Sequence, residues 1–160
     1  MPIHLSPALP QDIPEVTTLI GELLREIMQA TDPSAFHFDA NETAQRLDGF
    51  LREGSYFVFV ARNGAGEPIG FAALYEARSL YAEGRFGVLA ELYVRPRWRS
   101  EGAGHALIEH ARSFGREHGW KRLEVTTPPL PQFDRTLAFY EREGFSITGG
   151  RKLKTLLQTT

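Results

Sequence analysis

A chain of 160 residues is long enough for one domain with a substantial hydrophobic core and too short for two ordinary domains. Its 42% hydrophobic residues, 24% charged residues and formal net charge of −2 are typical of a soluble globular protein and lack the basic excess of nucleic-acid-binding proteins. The lack of cysteine excludes disulfides, thiolate metal sites and a cysteine nucleophile, and without a leader sequence or a long apolar run we expect a cytoplasmic protein with no membrane partner.

The N-terminal half alternates between helical and extended patterns. Apolar residues recur every three or four positions over Val16–Ile27, which predicts an amphipathic helix. The stretch Asn41–Gly54 repeats this pattern more briefly, and its first residue can cap a helix while its last residue can end one. Two aromatic and β-branched runs then flank Asn63–Gly66, where asparagine and glycine tolerate positive φ, so we predict a β-hairpin.

The C-terminal half continues with a strand, a helix and a second strand. The strand Phe86–Val94 ends before Pro96, because proline cannot continue a hydrogen-bonded ladder. The elements predicted after the next helix are a strand, a helix and two terminal strands: Lys121–Thr127, Asp134–Gly144, Phe145–Thr148 and Lys152–Gln158. This order predicts an α/β sheet with at least one parallel pair, and ligands of such sheets bind where strand ends meet helix N-termini.

Two glycines stand where the helix after the third strand should begin. Gly102 and Gly104 each cost about 1 kcal/mol relative to alanine inside a helix, so their presence needs a reason. One reason is a ligand: first-turn N–H groups have no intrahelical acceptor, they bind phosphate oxygens well, and Arg97 and Arg99 add positive charge. The other interpretation is a glycine-tolerant helix start beside solvated arginines, and these residues alone leave both open.

The segment ELYVRPRWRSEGAGHALIEHA resembles motif A of the GNAT superfamily of N-acetyltransferases. The family signature is matched by Arg99-x-x-Gly102-x-Gly104 after a strand that ends in Val-x-Pro. Downstream, with one strand between, the segment LAFYEREGF over Leu137–Phe145 resembles motif B, and the first strand and helix are also similar to those of the family. The whole chain, residues 1–160, is thereby identified as a single N-acetyltransferase domain.

The resemblance implies an α/β fold, with a twisted mixed sheet of about seven strands, about four flanking helices and a splayed, parallel central strand pair. Acetyl-CoA would lie in the wedge between the splayed strands. Its pantetheine arm would pair with the strand before the motif A helix, and its pyrophosphate would contact the amides from Arg99 to Gly104. The residues that the resemblance assigns to the cofactor are Leu92, Tyr93, Val94, Arg99, Ser100, Glu101, Gly102, Ala103, Gly104, His105 and Tyr140.

Two side chains are candidates for the proton transfers that acetylation of an amine requires. Tyr140 occupies the motif B position that reaches the CoA sulfur in many family members, so it is the candidate acid, with a core aromatic as the alternative. Glu91 is a lone carboxylate in the apolar run VLAELYV, where several similar enzymes carry a base, with a water-facing strand residue as the alternative. Phe133 replaces the asparagine that motif B often carries, which puts one polar contact to the cofactor in doubt.

The implied activity is direct transfer of an acetyl group from acetyl-CoA to a primary amine, without a metal or a covalent enzyme intermediate. The motif A segment after a long strand connection is somewhat similar to small-molecule amine acetyltransferases, so a small amine is the expected acceptor. The alternatives are a protein lysine or N-terminal amine, and a non-catalytic sensor that binds acyl-CoA. A homodimer is compatible with the predicted strand Lys152–Gln158, because an exposed sheet edge invites a partner.

Overall fold

The computed structural model describes residues 2–158, and it contains a five-stranded sheet covered by helices. The strands are β1 (His4–Pro7), β2 (Tyr56–Arg62), β3 (Pro68–Ser79), β4 (Gly84–Val94) and β5 (Leu123–Val125). The helices are α1 (Ile13–Ala30), α2 (Ala40–Glu53), α3 (Ala103–Glu117) and α4 (Asp134–Arg142). The strand order is β1-β2-β3-β4-β5; β1 to β4 pair antiparallel, and β4 pairs parallel with β5. The predicted mixed α/β class is confirmed.

Short polar side chains fix the starts and turns of these elements. Helix α2 is capped by Asp39, whose side chain accepts a hydrogen bond from the Glu42 N–H at 2.9 Å. The predicted cap at Asn41 is therefore wrong by two residues. Between β2 and β3 the predicted turn is present, and Asn63 Oδ1 accepts hydrogen bonds from two turn amides, each at 3.0 Å.

The sheet separates two apolar clusters, because successive side chains of a strand point to opposite faces. On one face, Leu74 and Leu89 pack with the α3 residues Leu107 and Ile108. On the other face, strand residues pack with α1 and α2; the buried members of this cluster are Val16, Leu19, Leu47, Val58, Val60, Phe71, Ala73 and Tyr93. The central strands are thus buried on both sides by the helices.

Residues 145–158 form no strand within the part of the chain that the structure describes. The predicted strands Phe145–Thr148 and Lys152–Gln158 are therefore wrong, and residues 2–158 contain five strands where about seven were predicted. Phe145 packs against the core, and the later apolar side chains of this segment are solvent-exposed, with Leu157 at 89%. An apolar run becomes a strand only when an edge pairs with it, and the sequence does not reveal whether an edge is available. As a result β5 is an edge strand, and the parallel pair is not central.

No helix within residues 2–158 is both long and apolar enough to cross a bilayer.

Candidate active site

Strands β4 and β5 separate after a short parallel contact. Gly87–Leu89 pairs with Leu123–Val125, and no further β5 pairing occurs along the rest of β4 in the described chain. The Arg95 N–H donates to the Ile69 carbonyl at 2.8 Å, so the backbone polar groups of Arg95 face β3. In an antiparallel ladder these groups face alternate sides along a strand, and those of Leu92 and Val94 therefore point away from β3. The edge of β4 beyond Leu89 therefore presents backbone groups to a gap in the sheet. We call this segment the open edge of β4.

A β-bulge next to the gap redirects the side chain of Glu91. The register between β3 and β4 shifts after Ala73, which pairs with Glu91, so that Leu74 pairs with Leu89 and Ala90 has no partner. Leu89 points to the α3 face of the sheet, and without the bulge the residue two positions later would share that face. The extra residue instead directs Glu91 to the α1 and α2 face.

There the Glu91 carboxylate meets Tyr56, at the start of β2. The Tyr56 hydroxyl donates to Glu91 Oε1 at 2.7 Å and also makes a short contact with Oε2. Burial raises the pKa of Glu91 above its ordinary value, and the Tyr56 hydrogen bond opposes that rise. Burial and the Glu91 charge raise the pKa of Tyr56, so its phenol stays protonated. Glu91 is recognisable in the sequence, whereas Tyr56, which lies 35 residues away, belongs to no motif and was not predicted.

The N-terminus of α3 presents unpaired amides beside open space. The first helical hydrogen bond runs from the Ala106 N–H to the Gly102 carbonyl at 2.9 Å, so the amides of residues 103–105 have no intrahelical acceptor. The preceding loop takes the left-handed conformation at Ser100 (φ 64°) and Gly102 (φ 92°), with Glu101 exposed between them. A Cβ added at Gly102 would find no neighbour within 4 Å. This geometry suits an anion that approaches bare backbone.

The two motif glycines serve different purposes. Position 102 favours glycine because its φ is positive, a conformation that residues with a Cβ rarely adopt. A Cβ at Gly104 would lie 3.0 Å from two ring carbons of Phe139 on α4. Gly104 is therefore accounted for by the packing of α4 on α3, and only Gly102 borders the open space.

The arginines of motif A are held by α1. Arg99 pairs with Glu26 at 2.8 Å, and its Nε donates to the Val94 carbonyl at 2.8 Å, which ties the loop to the end of the open edge. The Arg99 amide donates to the Pro96 carbonyl at 3.3 Å, so this amide already has an acceptor. Arg95 pairs with Glu22 at 2.8 Å. Two of the three arginine side chains are thus engaged within the fold, and the free backbone amides remain as the main anion-binding groups.

Glu22 and Glu143 engage two further predicted cofactor residues. Glu22 also accepts a hydrogen bond from the Tyr93 hydroxyl at 3.2 Å, which anchors the face of β4 opposite α3. The His105 Nδ1 lies 2.8 Å from an oxygen of Glu143, which links the first turn of α3 to the end of α4. The His105 side chain therefore bridges two helices, and its backbone amide is the group that faces the candidate anion site.

Tyr140 lies in the core on the α3 side of the sheet. It is 5% exposed, and its ring packs against Phe139 and Phe145 with centroids 5.4 and 5.5 Å apart. Its hydroxyl makes no hydrogen bond within residues 2–158, and burial raises its pKa, so the phenol keeps its proton. Tyr140 and Glu91 therefore lie on opposite faces of the sheet, and the gap beside β4 opens between those faces. Phe133 directly precedes α4 and supplies no polar cap.

A family model described as the Acetyltransferase (GNAT) family matches residues 21–145. The chain belongs to the GNAT acetyltransferase family. This GNAT acetyltransferase is 32% identical over 109 residues to the uncharacterized N-acetyltransferase YhfO of Bacillus subtilis (strain 168), across 66% of this chain and 72% of that protein. It is also 32% identical over 89 residues to an aminoglycoside N(6')-acetyltransferase type 1 of Stenotrophomonas maltophilia, across 53% of this chain and 58% of that one.

The fold of the GNAT acetyltransferase is shared with solved structures. A crystal structure of an aminoglycoside acetyltransferase from an uncultured soil metagenomic sample, in complex with trehalose, aligns with a TM-score of 0.76. The alignment covers 98% of this chain and 97% of that chain at 21% sequence identity. At that identity the likeness shows the fold, and the family membership shows that the protein is an N-acetyltransferase.

Proposed function

We propose that this enzyme transfers the acetyl group of acetyl-CoA directly to the primary amine of a small molecule. The open edge of β4 carries this proposal, because the unpaired backbone of Leu92 and the N–H of Val94, whose carbonyl already accepts from Arg99, can receive the amide-containing arm of CoA as an added strand. A few residues along the chain, the unpaired amides at the start of α3 and the space above Gly102 suit a pyrophosphate. Similarity to an aminoglycoside acetyltransferase favours a small amine as acceptor.

The residues proposed to hold the cofactor divide by the group they offer. The backbone of Leu92 and the N–H of Val94 would bond the pantetheine arm, whereas the polar backbone groups of Tyr93 face β3, so Tyr93 would lie beside the arm without bonding it. The amides of the loop and first turn, from Ser100 to His105, would contact the pyrophosphate, while Arg99 acts through its hold on the Val94 carbonyl. Tyr140 would approach the sulfur from the α3 face. Phe133 offers no polar group to the cofactor.

The acceptor must lose a proton before it can attack, because a primary amine with a pKa of about 10.4 is almost fully protonated at pH 7. Glu91 is the proposed base: its half-buried carboxylate, held by Tyr56, accepts the proton that the acceptor loses, directly or through a water. Bound acetyl-CoA supplies the thioester, whose C–S bond breaks as the C–N bond forms. Tyr140 donates its phenolic proton to the departing sulfur, and the second proton, which the nitrogen loses when the amide forms, returns to the phenolate directly or through water. An N–H of the open edge stabilises the negative charge that develops on the thioester oxygen.

The test is thiol release from acetyl-CoA over a panel of small amines, lysine peptides and peptides with free N-termini. Acetylation of small amines with poor use of both peptide classes is the expected result. Preference for either peptide class would move the acceptor to protein, and thermal stabilisation by acetyl-CoA without turnover of any amine would identify a sensor.

A further inference from the structure

The Glu91 carboxylate has one hydrogen-bonding side chain within residues 2–158, and it comes from a strand that motif A does not include. Tyr56 starts β2, and β3 lies between β2 and β4 in the sheet. The Tyr56 ring is fixed between two aromatic neighbours: Phe50 of α2, with centroids 5.1 Å apart, and Tyr75 of β3, stacked at 6.5 Å and 10°. Packing therefore aims the hydroxyl at Glu91 before any acceptor binds.

We propose that Tyr56 is a positioning residue that holds the Glu91 carboxylate in one orientation and keeps it ionised, ready to take the proton of the acceptor amine. This inference rests on the proposed function, since it extends the role of the proposed base. Tyr56 donates a single hydrogen, so the carboxylate keeps free lone pairs that can accept from the amine or from a bridging water. Tyr56 itself gives up no proton in the reaction.

The surroundings of Glu91 make this role necessary. Tyr56 faces it from β2, with Tyr75 of β3 stacked behind and Phe50 of α2 beside the Tyr56 ring. Within the described residues no lysine, arginine or histidine makes a salt bridge to Glu91. A half-buried carboxylate without a cationic partner tends to take up a proton, and a protonated carboxyl cannot serve as a base. The Tyr56 hydroxyl is the group that counters this tendency, because it donates to the charged form.

The experiment compares the parent with Tyr56→Phe and Tyr75→Phe. Both variants lose one hydroxyl and keep the stacked rings, but only Tyr56 bonds to Glu91. The first readout is a carbon-13 NMR titration of the Glu91 side-chain carboxyl, which requires no turnover. The second is the pH profile of kcat/KM with the best amine. In Tyr56→Phe we expect the carboxyl midpoint and the acid limb of the profile to move together to higher pH. Activity should fall about tenfold on the acid side and approach the parent at alkaline pH.

An unchanged carboxyl midpoint in Tyr56→Phe would overturn the proposal, and so would a shifted midpoint with an unmoved acid limb. Equal effects of Tyr75→Phe would also overturn it, because they would reflect general packing. The double variant Glu91→Gln/Tyr56→Phe is compared with Glu91→Gln, with each kcat expressed per folded protein so that a folding defect is not counted as lost activity. A kcat no lower than that of Glu91→Gln supports action through Glu91, and a further loss refutes it. Failure of the parent to acetylate any amine counts against the proposed function, and the NMR midpoints still decide whether Tyr56 controls the carboxylate.

Discussion

Replacing Tyr140 with phenylalanine separates a catalytic role from a packing role, because the structure predicts opposite effects on stability and rate. The ring is 5% exposed and packs against Phe139 and Phe145, and phenylalanine keeps those contacts. The lost hydroxyl has no hydrogen-bond partner within residues 2–158, and it is not among the fully buried polar atoms, so its removal leaves no protein group unpaired. The free energy of unfolding of Tyr140→Phe should therefore equal or exceed that of the parent.

The rate should respond in the opposite direction. Loss of a general acid lowers turnover by about 10² to 10⁴, which is about 3–5 kcal/mol of barrier. Thiol-release assays at saturating amine measure kcat, calorimetry measures CoA affinity, and denaturant unfolding measures stability. Tyr75→Phe is the matched control, since it removes a hydroxyl near the other face of the sheet and should leave kcat near the parent value. A Tyr140→Phe rate within about twofold of the parent would refute the assignment, because that is well under 1 kcal/mol of barrier.

Three further predictions concern the cofactor site, the buried tyrosine of β4 and the C-terminal segment. Gly102→Ala should lose most of its CoA affinity in calorimetry and about 1–3 kcal/mol of unfolding free energy, because alanine disfavours a φ of 92°. Unchanged CoA affinity would disprove the proposed phosphate site. Burial and the Glu22 charge raise the pKa of Tyr93 to about 12 from 10.0, so the free energy of unfolding should fall as pH rises from 10 to 12. Tyr93→Phe should flatten this pH dependence, and the same slope in the parent and the variant would contradict the prediction. Deleting residues 152–158 should leave the unfolding midpoint unchanged, because they are exposed; a lower midpoint would show that they pair, as in a homodimer.

Short sequence patterns predicted much of the fold. The apolar spacing of α1, the asparagine–glycine turn between β2 and β3, and the proline after β4 each act within a few residues, so a single segment reveals them. The helix start at Gly102 was expected from its segment, whereas the positive φ of that residue was not predicted. These features position β4 and α3, and with them most of the candidate site.

Features that depend on distant contacts were not predictable. The need for a glycine at position 104 comes from Phe139, on a helix that follows β5. The bulge that turns Glu91 is a property of how two strands pair, and Tyr56 meets Glu91 only because β2 and β4 lie in one sheet. The prediction of two terminal strands was wrong for the same reason, since alternating apolar residues do not show whether a sheet edge is available to pair with the segment.

Amide hydrogen exchange, followed residue by residue by NMR with and without CoA, shows whether the cofactor occupies the open edge of β4. Cofactor that pairs with the open edge of β4 and lies on the start of α3 should slow exchange at Leu92, Val94 and residues 100–105. The amides of β1 and β2 should exchange at the same rate with and without CoA, because these strands lie at the opposite edge of the sheet. Unchanged exchange at the open edge and the α3 start under saturating CoA, or protection confined to other strands, would contradict the proposed cofactor site.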